Sequence, residues 1–131
     1  MTIVVAYAPR PEGRAALEKG IEIASRRKER LLVVNAISGG NQDDPSFADI
    51  EDAEAVEKRL ADAGVEADFK QFVRGRSAVD EIVELAEAAD VTLVVVGLRK
   101  RSPVGKLIMG SVSRDIILSA RCPVLAVKAS E

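Results

Sequence analysis

Three runs of this chain, at residues 2–7, 31–36 and 91–96, are apolar almost without interruption and have the length of a β-strand. A strand that is apolar on both faces must be covered on both faces, which is the situation of a parallel sheet packed between helices. Longer segments with apolar residues at helical spacing separate these runs, as in residues 17–28. The pattern therefore predicts an α/β fold.

Residues 65–73 alternate between apolar and charged or polar side chains, which is typical of a half-exposed strand. We place this third strand at an edge of the sheet, and residues 123–127 form a fifth strand after the fourth helix. Short connections and the regular alternation of strands and helices predict a doubly wound sheet of five mainly parallel strands, in the order 3-2-1-4-5, with helices on both faces. Residues 1–131 are predicted to form a single domain.

The second helix is predicted to run from about residue 47 to residue 63. Its apolar face is expected to consist of Ile50, Ala53, Val56 and Leu60, with acidic residues on the opposite side. Such an amphipathic helix is expected to lie with this face against the sheet.

Composition excludes several classes of function. The net charge of −2 and an aromatic content of only 3% argue against a nucleic-acid partner. The chain has no histidine, and Cys122 is its only cysteine, so a Cys/His zinc site and a Ser-His-Asp triad are excluded. No signal peptide or apolar run of membrane-spanning length is recognisable, so we expect a cytoplasmic protein without a membrane partner.

The segment from Gly97 to Ser113 joins the fourth strand to the fourth helix and carries the strongest functional signal. Four cations follow the strand: Arg99, Lys100, Arg101 and Lys106. The helix then opens on Gly-Ser-Val-Ser, and a helix N-terminus presents unpaired backbone N–H groups that suit an anion. We therefore predict a phosphate-bearing ligand; the alternatives are a solvated charged loop and residues that serve only as helix caps.

The predicted strand order also places this segment. The direction of winding reverses between strands one and four, and ligands of such sheets bind at that point, beyond the carboxyl ends of the strands. Residues 6–8, 36–38 and 97–113 are therefore expected to surround one crevice.

Three common patterns of this fold class are absent. A P-loop needs four residues between its first glycine and the Gly-Lys pair, whereas seven separate Gly97 from Gly105, and Leu107 replaces the required serine or threonine. The first strand is not followed by the Gly-x-Gly of a dinucleotide site, nor is it flanked by the acidic cluster of a response-regulator receiver.

The layout of Gly97, twelve intervening residues, Gly110-Ser111 and the ending Cys-Pro-Val-Leu-Ala-Val-Lys resembles the universal stress protein family over essentially the whole chain. The resemblance implies a flavodoxin-like, adenine-nucleotide-hydrolase-like fold that binds ATP or AMP, with or without Mg²⁺. It also implies a homodimer formed through the last strand, at Val124, Leu125, Ala126 and Val127.

Carried over by position, the resemblance assigns phosphate or ribose contacts to Gly97, Gly110 and Ser111, and the base side to Ala36 and Val96. With neighbouring residues, the complete predicted set is Ala6, Tyr7, Ala36, Val96, Gly97, Lys100, Gly110, Ser111, Val112 and Ser113. Lys100 replaces the middle glycine of the family motif, and Tyr7 stands where many nucleotide-binding members have aspartate. Lys100 either pairs with phosphate or blocks the close approach that glycine allows, and Tyr7 either stacks on adenine, fills the base pocket or packs in the core.

Three functions are compatible with the sequence. The first is a small cytoplasmic stress-response protein that binds ATP or AMP as a homodimer, with no catalytic residue assigned. The second is a dimeric interaction or signalling module of the same fold whose pocket no longer binds nucleotide. The third is a slow ATPase, which is disfavoured because no acidic residue lies between Gly97 and Ser113 to hold a metal or position water.

Overall fold

The computed structural model describes residues 1–39, 44–99 and 109–129. Strands and helices alternate along the described chain: β1 (Thr2–Ala6), α1 (Pro11–Arg27), β2 (Arg30–Ile37), α2 (Ile50–Ala63), β3 (Ala67–Val73), α3 (Ala78–Ala86), β4 (Val91–Leu98), α4 (Ser111–Ser119) and β5 (Val124–Lys128). The alternation follows the prediction, with α2 beginning three residues later than expected.

The five strands form one sheet in the order β3-β2-β1-β4-β5, and every neighbouring pair is parallel. This confirms the predicted doubly wound topology. The central strand β1 lies between β2 and β4, where Val5 is in register with Val33 on one side and Val95 on the other. The alternating strand β3 lies at an edge, as its pattern predicted.

The sheet separates two apolar cores. Helices α1 and α2 pack on one face, around Ile3, Val5 and Leu31. Helices α3 and α4 pack on the other, around Val4, Val94 and other buried residues. Because helices cover both faces, the central strands bury nearly every residue, which explains their uninterrupted apolar sequence.

Ile50 corrects the predicted apolar face of α2, because its side chain is 81% exposed. Asp49 caps the helix through a reciprocal pair of hydrogen bonds with Asp52, so Ile50 is the first helical residue. Val56 and Leu60 are buried as predicted. The helix therefore contacts the core through its later turns, and its first turn projects beyond it.

One carboxylate is fully buried at the start of α3. Glu81 accepts two hydrogen bonds of 2.7 Å each from the guanidinium of Arg74, which itself lies over the ring of Phe72. These hydrogen bonds lower the pKa of Glu81, so it is held as an anion. Ser77 caps the same helix through the amide of Asp80, and the two interactions fix where α3 begins.

Candidate functional site

A cleft of about 300 Å³ opens at the carboxyl edge of the sheet, where β1 and β4 end side by side. The strands contribute small apolar residues, and the starts of α1, α3 and α4 contribute polar ones. The described residues that line it are Ala6, Tyr7, Ala8, Arg10, Glu12, Gly13, Val34, Ala36, Ile37, Ser38, Asp44, Ser46, Ser77, Ala78, Ile82, Gly97, Arg99, Gly110, Ser111, Val112 and Ser113. The cleft lies at the topological switch point, which is the position predicted from the strand order.

Eight of the ten residues predicted for the site line this one cleft: Ala6, Tyr7, Ala36, Gly97, Gly110, Ser111, Val112 and Ser113. Lys100 lies outside the described residues, together with Arg101 and Lys106, so Arg99 is the one member of the cationic stretch whose position is known. The eight residues that line the cleft come from segments separated by about ninety residues of sequence. They meet because parallel strands end at the same edge of the sheet.

Val96 does not line the cleft, contrary to its predicted place on the base side. It has no exposed surface and belongs to the core that α3 and α4 cover. Val34 and Ala36 belong to the same core and still line the cleft, so the complete burial of Val96, and not the face of the sheet on which it lies, keeps it from the cleft. Within β4, its neighbour Gly97 is the residue that reaches the cleft.

Tyr7 borders the cleft, but its side chain belongs to the core. It is 7% exposed, and its ring meets Phe69 edge-to-face with 6.3 Å between centroids. Burial raises the pKa of the Tyr7 hydroxyl, although nearby Arg14 opposes the shift. A ring held in this way is not presented to a ligand for stacking, so core packing is the role that the geometry supports.

Gly97 is required by packing within the protein. A Cβ atom at this position would lie 2.1 Å from the carbonyl oxygen of Glu12 in the first turn of α1. Gly13 is under a similar constraint with a different partner, since its Cβ would lie 1.9 Å from the carbonyl oxygen of Ala8. The two glycines allow β4, α1 and the end of β1 to converge beneath the cleft, which is a role that sequence reasoning did not assign to Gly97.

The start of α4 faces the cleft with its backbone N–H groups. Gly110 is the N-cap residue and supplies no side-chain hydrogen bond, and the first turn contains no acidic residue. Among the helices that the structure describes, α2 and α3 are capped by side chains, and α1 carries Glu12 in its first turn. The positive end of the α4 dipole is therefore the least compensated of these helix starts.

Ser113 links the helix to the strand that precedes it. Its hydroxyl group donates a hydrogen bond of 3.0 Å to the carbonyl oxygen of Gly97. This bond holds the first turn of α4 against the end of β4. The Ser113 hydroxyl therefore positions the site and keeps only its acceptor lone pairs for other partners.

Charged side chains stand around the cleft. The guanidinium of Arg99 lies beside Gly110, with Nε 3.6 Å from the position that a Cβ would take there. The carboxylate of Glu12 lies between two arginines, with Oε2 3.6 Å from Nε of Arg99 and 4.0 Å from Nη1 of Arg10. Arg10 in turn donates a hydrogen bond to the hydroxyl of Ser46.

Asn35 organises the opposite wall, and sequence reasoning missed it. Its amide nitrogen donates to the carbonyl oxygens of Tyr7 (3.0 Å) and Ser46 (2.8 Å), and its amide oxygen accepts from the backbone N–H of Ala48 (2.9 Å) and the side chain of Gln71 (3.2 Å). At 1% exposure it fastens the segment after β2 to the end of β1. The available signal was a polar residue inside an otherwise apolar strand.

The arrangement combines a wall of small apolar residues with an end that is rich in N–H donors, hydroxyl groups and guanidinium groups. The apolar wall suits a flat heterocycle, and the end that is rich in donors suits an anionic group. Over residues 1–39, 44–99 and 109–129, no cluster of three or more metal-ligating side chains is present. No helix in that part of the chain is long and apolar enough to cross a membrane.

Comparison with known sequences identifies relatives over the whole described fold. The profile of the Universal stress protein family matches residues 1–128. A universal stress protein of Mycolicibacterium smegmatis is 45% identical over 126 residues, which cover 96% of each chain.

Solved structures agree. A universal stress protein from Archaeoglobus fulgidus superposes with a TM-score of 0.80 at 33% identity, covering 97% of each chain. A universal stress protein from the same organism in complex with dAMP superposes with a TM-score of 0.73 at 26% identity, covering 97% of this chain and 96% of that one. The resemblance inferred from the Gly97–Ser111 spacing is thereby confirmed, and the chain belongs to the universal stress protein family.

Proposed function

We propose that this protein binds an adenine nucleotide, ATP or AMP with or without Mg²⁺, in the cleft at the carboxyl edge of the sheet, and acts in the stress response as a cytoplasmic homodimer. The observation that carries the proposal is the α4 N-terminus, which has no side-chain cap and is aimed into a cleft with small apolar walls. The A. fulgidus relative solved in complex with dAMP supports the same class of ligand.

In this arrangement the phosphate lies against the N–H groups of residues 111–113 and beside the guanidinium of Arg99. The base lies against Ala6 and Ala36, where backbone groups at the strand ends provide hydrogen bonds. Val96 and the ring of Tyr7 pack in the cores beneath the cleft, and Ser113 holds the start of α4 in place.

A Ser111→Asp substitution tests the phosphate position. An acidic side chain in the first turn of α4 complements the helix dipole, so the melting temperature is expected to stay the same or rise. The same charge repels phosphate, and affinity for AMP and ATP is expected to fall by at least about tenfold. Calorimetric titration of nucleotide-stripped protein measures the affinity, with Ser119→Asp at the other end of α4 as the control of equal charge.

A second function, an interaction module with a pocket that no longer binds nucleotide, is favoured by the carboxylate of Glu12 inside the cleft. The same titration separates the two functions. Absence of binding by the unsubstituted protein at millimolar AMP and ATP, with no nucleotide detected by mass spectrometry after denaturation, contradicts nucleotide binding and leaves the interaction module.

The proposed homodimer forms through β5. This strand is an edge of the sheet, its residues 124–127 are apolar, and Leu125 is 36% exposed. Helix α4, which packs on β4 and β5, also exposes Ile117 and Leu118. An apolar strand edge is an aggregation hazard unless it is covered, and pairing with a second copy covers it.

A Leu125→Lys substitution is expected to weaken the dimer by at least about tenfold, because it places a charge in the apolar contact. Sedimentation equilibrium measures the dissociation constant. Val73→Lys, on the opposite edge strand, where Val73 is 51% exposed, is the matched control and should leave the dimer intact. Equal effects of the two substitutions, or a monomeric unsubstituted protein, would contradict the β5 interface.

A further inference from the structure

Glu12 is a carboxylate placed where the proposed ligand is anionic. It enters the cleft from the first turn of α1, and its side chain is only 18% exposed. Its Oε2 atom lies 3.6 Å from Nε of Arg99 and 4.0 Å from Nη1 of Arg10, and all three residues line the cleft. Among the described residues, the two arginines that line the cleft therefore already have an anionic partner within the protein.

The position of Arg99 makes its pairing with Glu12 important for ligand binding. Its guanidinium group lies beside Gly110, at the uncapped start of α4, where a cation adds to the positive potential of the helix dipole. An incoming phosphate at that helix start meets the same guanidinium group that Glu12 contacts. Glu12 and the phosphate then compete for Arg99, and the two anions repel each other.

We propose that Glu12 sets the charge selectivity of the cleft, lowering affinity more strongly as the nucleotide carries more phosphate groups. The proposal rests on nucleotide binding in this cleft and adds a preference for the less charged adenine nucleotides. Glu12 also complements the dipole of α1, as any acidic residue in a first turn does. That structural role predicts an effect on stability that is independent of the number of phosphates.

The test is a titration of adenosine, AMP and ATP, without divalent cations and at low ionic strength, against the unsubstituted protein, Glu12→Gln and Glu57→Gln. Glutamine keeps the shape of the side chain and removes the charge. Glu57 is exposed on α2 and does not line the cleft, so its substitution makes the same change in net charge elsewhere. Adenosine reports whether the cleft itself has changed.

With Glu12→Gln, affinity is expected to change less than about twofold for adenosine, to rise about threefold for AMP and to rise about tenfold or more for ATP. Glu57→Gln should leave the ratio of ATP to AMP affinity unchanged. In an Arg99→Gln background the gain from Glu12→Gln should shrink, because the competed cation is gone.

Four results would overturn the proposal. If Glu12→Gln leaves the ratio of ATP to AMP affinity unchanged, Glu12 does not set the charge selectivity, and the proposed nucleotide binding is not contradicted. An equal gain in affinity for all three ligands would mean that Glu12→Gln reshaped the cleft. A full gain in ATP affinity that persists in the Arg99→Gln background would mean that Glu12 and phosphate do not compete for Arg99. Absence of binding by every variant overturns the proposed function and this inference together.

Discussion

An Asn35→Asp substitution is expected to lower the free energy of unfolding by about 4 kcal/mol at neutral pH, because it places a charge in a buried site and removes its donors. The Asn35 amide nitrogen now donates to the carbonyl oxygens of Tyr7 and Ser46. A carboxylate of the same shape directs lone pairs at both carbonyls instead, in a site that is 1% exposed. Urea denaturation followed by circular dichroism measures the loss.

The pH dependence gives a second readout of the same substitution. Burial beside two carbonyl oxygens raises the pKa of the introduced carboxyl group above its value in the unfolded chain. The deficit is therefore largest above that raised pKa and shrinks as the pH falls through it, when the protonated group can donate again. Gln71→Ala is the control, since it removes one partner of Asn35 at an exposed position and should cost about 1 kcal/mol.

Loss of the Asn35 hydrogen bonds also releases one wall of the cleft. Ser46 and Ala48 are tied to the strand ends through this side chain. Under conditions where the Asn35→Asp protein is still folded, nucleotide affinity should therefore fall as well. A deficit below about 1 kcal/mol that does not vary with pH would contradict the role assigned to Asn35.

A Gly97→Ala substitution is expected to lower the free energy of unfolding by about 3 kcal/mol or more, because the added methyl group meets backbone, which cannot rotate away. The contact is the carbonyl oxygen of Glu12, 2.1 Å from the Cβ position. Relief requires that α1 move away from β4, and these elements together form the floor of the cleft. Both the unfolding midpoint and the nucleotide affinity should fall.

Gly110→Ala provides the matched control within the same motif. In the described part of the chain, the three atoms nearest to its added Cβ would all belong to the flexible side chain of Arg99, at 3.6–3.9 Å, and the backbone φ of −67° accepts any residue. Its cost should be about 1 kcal/mol or less, from the poorer N-cap. Equal and small effects of both substitutions would mean that the Gly97 packing constraint can be relaxed without cost.

Sequence patterns predicted the fold because they reflect burial, and burial in a doubly wound sheet depends on strand position. Uninterrupted apolar runs marked the central strands β1, β2 and β4, and alternation marked the edge strand β3, from which the strand order followed. Ile50 was placed wrongly because periodicity locates a helical face without locating where the helix begins to contact the sheet. The capping pair of Asp49 and Asp52 decided that position.

The candidate site was predictable in location and less so in detail. The switch point and the Gly97–Ser111 spacing placed eight residues around one cleft, because parallel strands of known order end at one edge. The roles of individual side chains depended on how completely the elements packed around each one bury it. Val96 and the ring of Tyr7 turned toward the core, while Glu12 and Asn35 turned toward or supported the cleft.

The sequence by itself determined the fold class, the strand order and the edge of the sheet at which the candidate site lies, because each follows from local patterns of burial and turn chemistry. The family followed from the resemblance carried by the Gly97–Ser111 spacing and the C-terminal ending. Only the tertiary structure decided that Gly97 is demanded by a helix backbone, that Asn35 satisfies four partners, and that Glu12 pairs with Arg99 inside the cleft. Each of these is a contact between segments distant in the chain. Their distances arise from packing, which no local pattern of residues encodes.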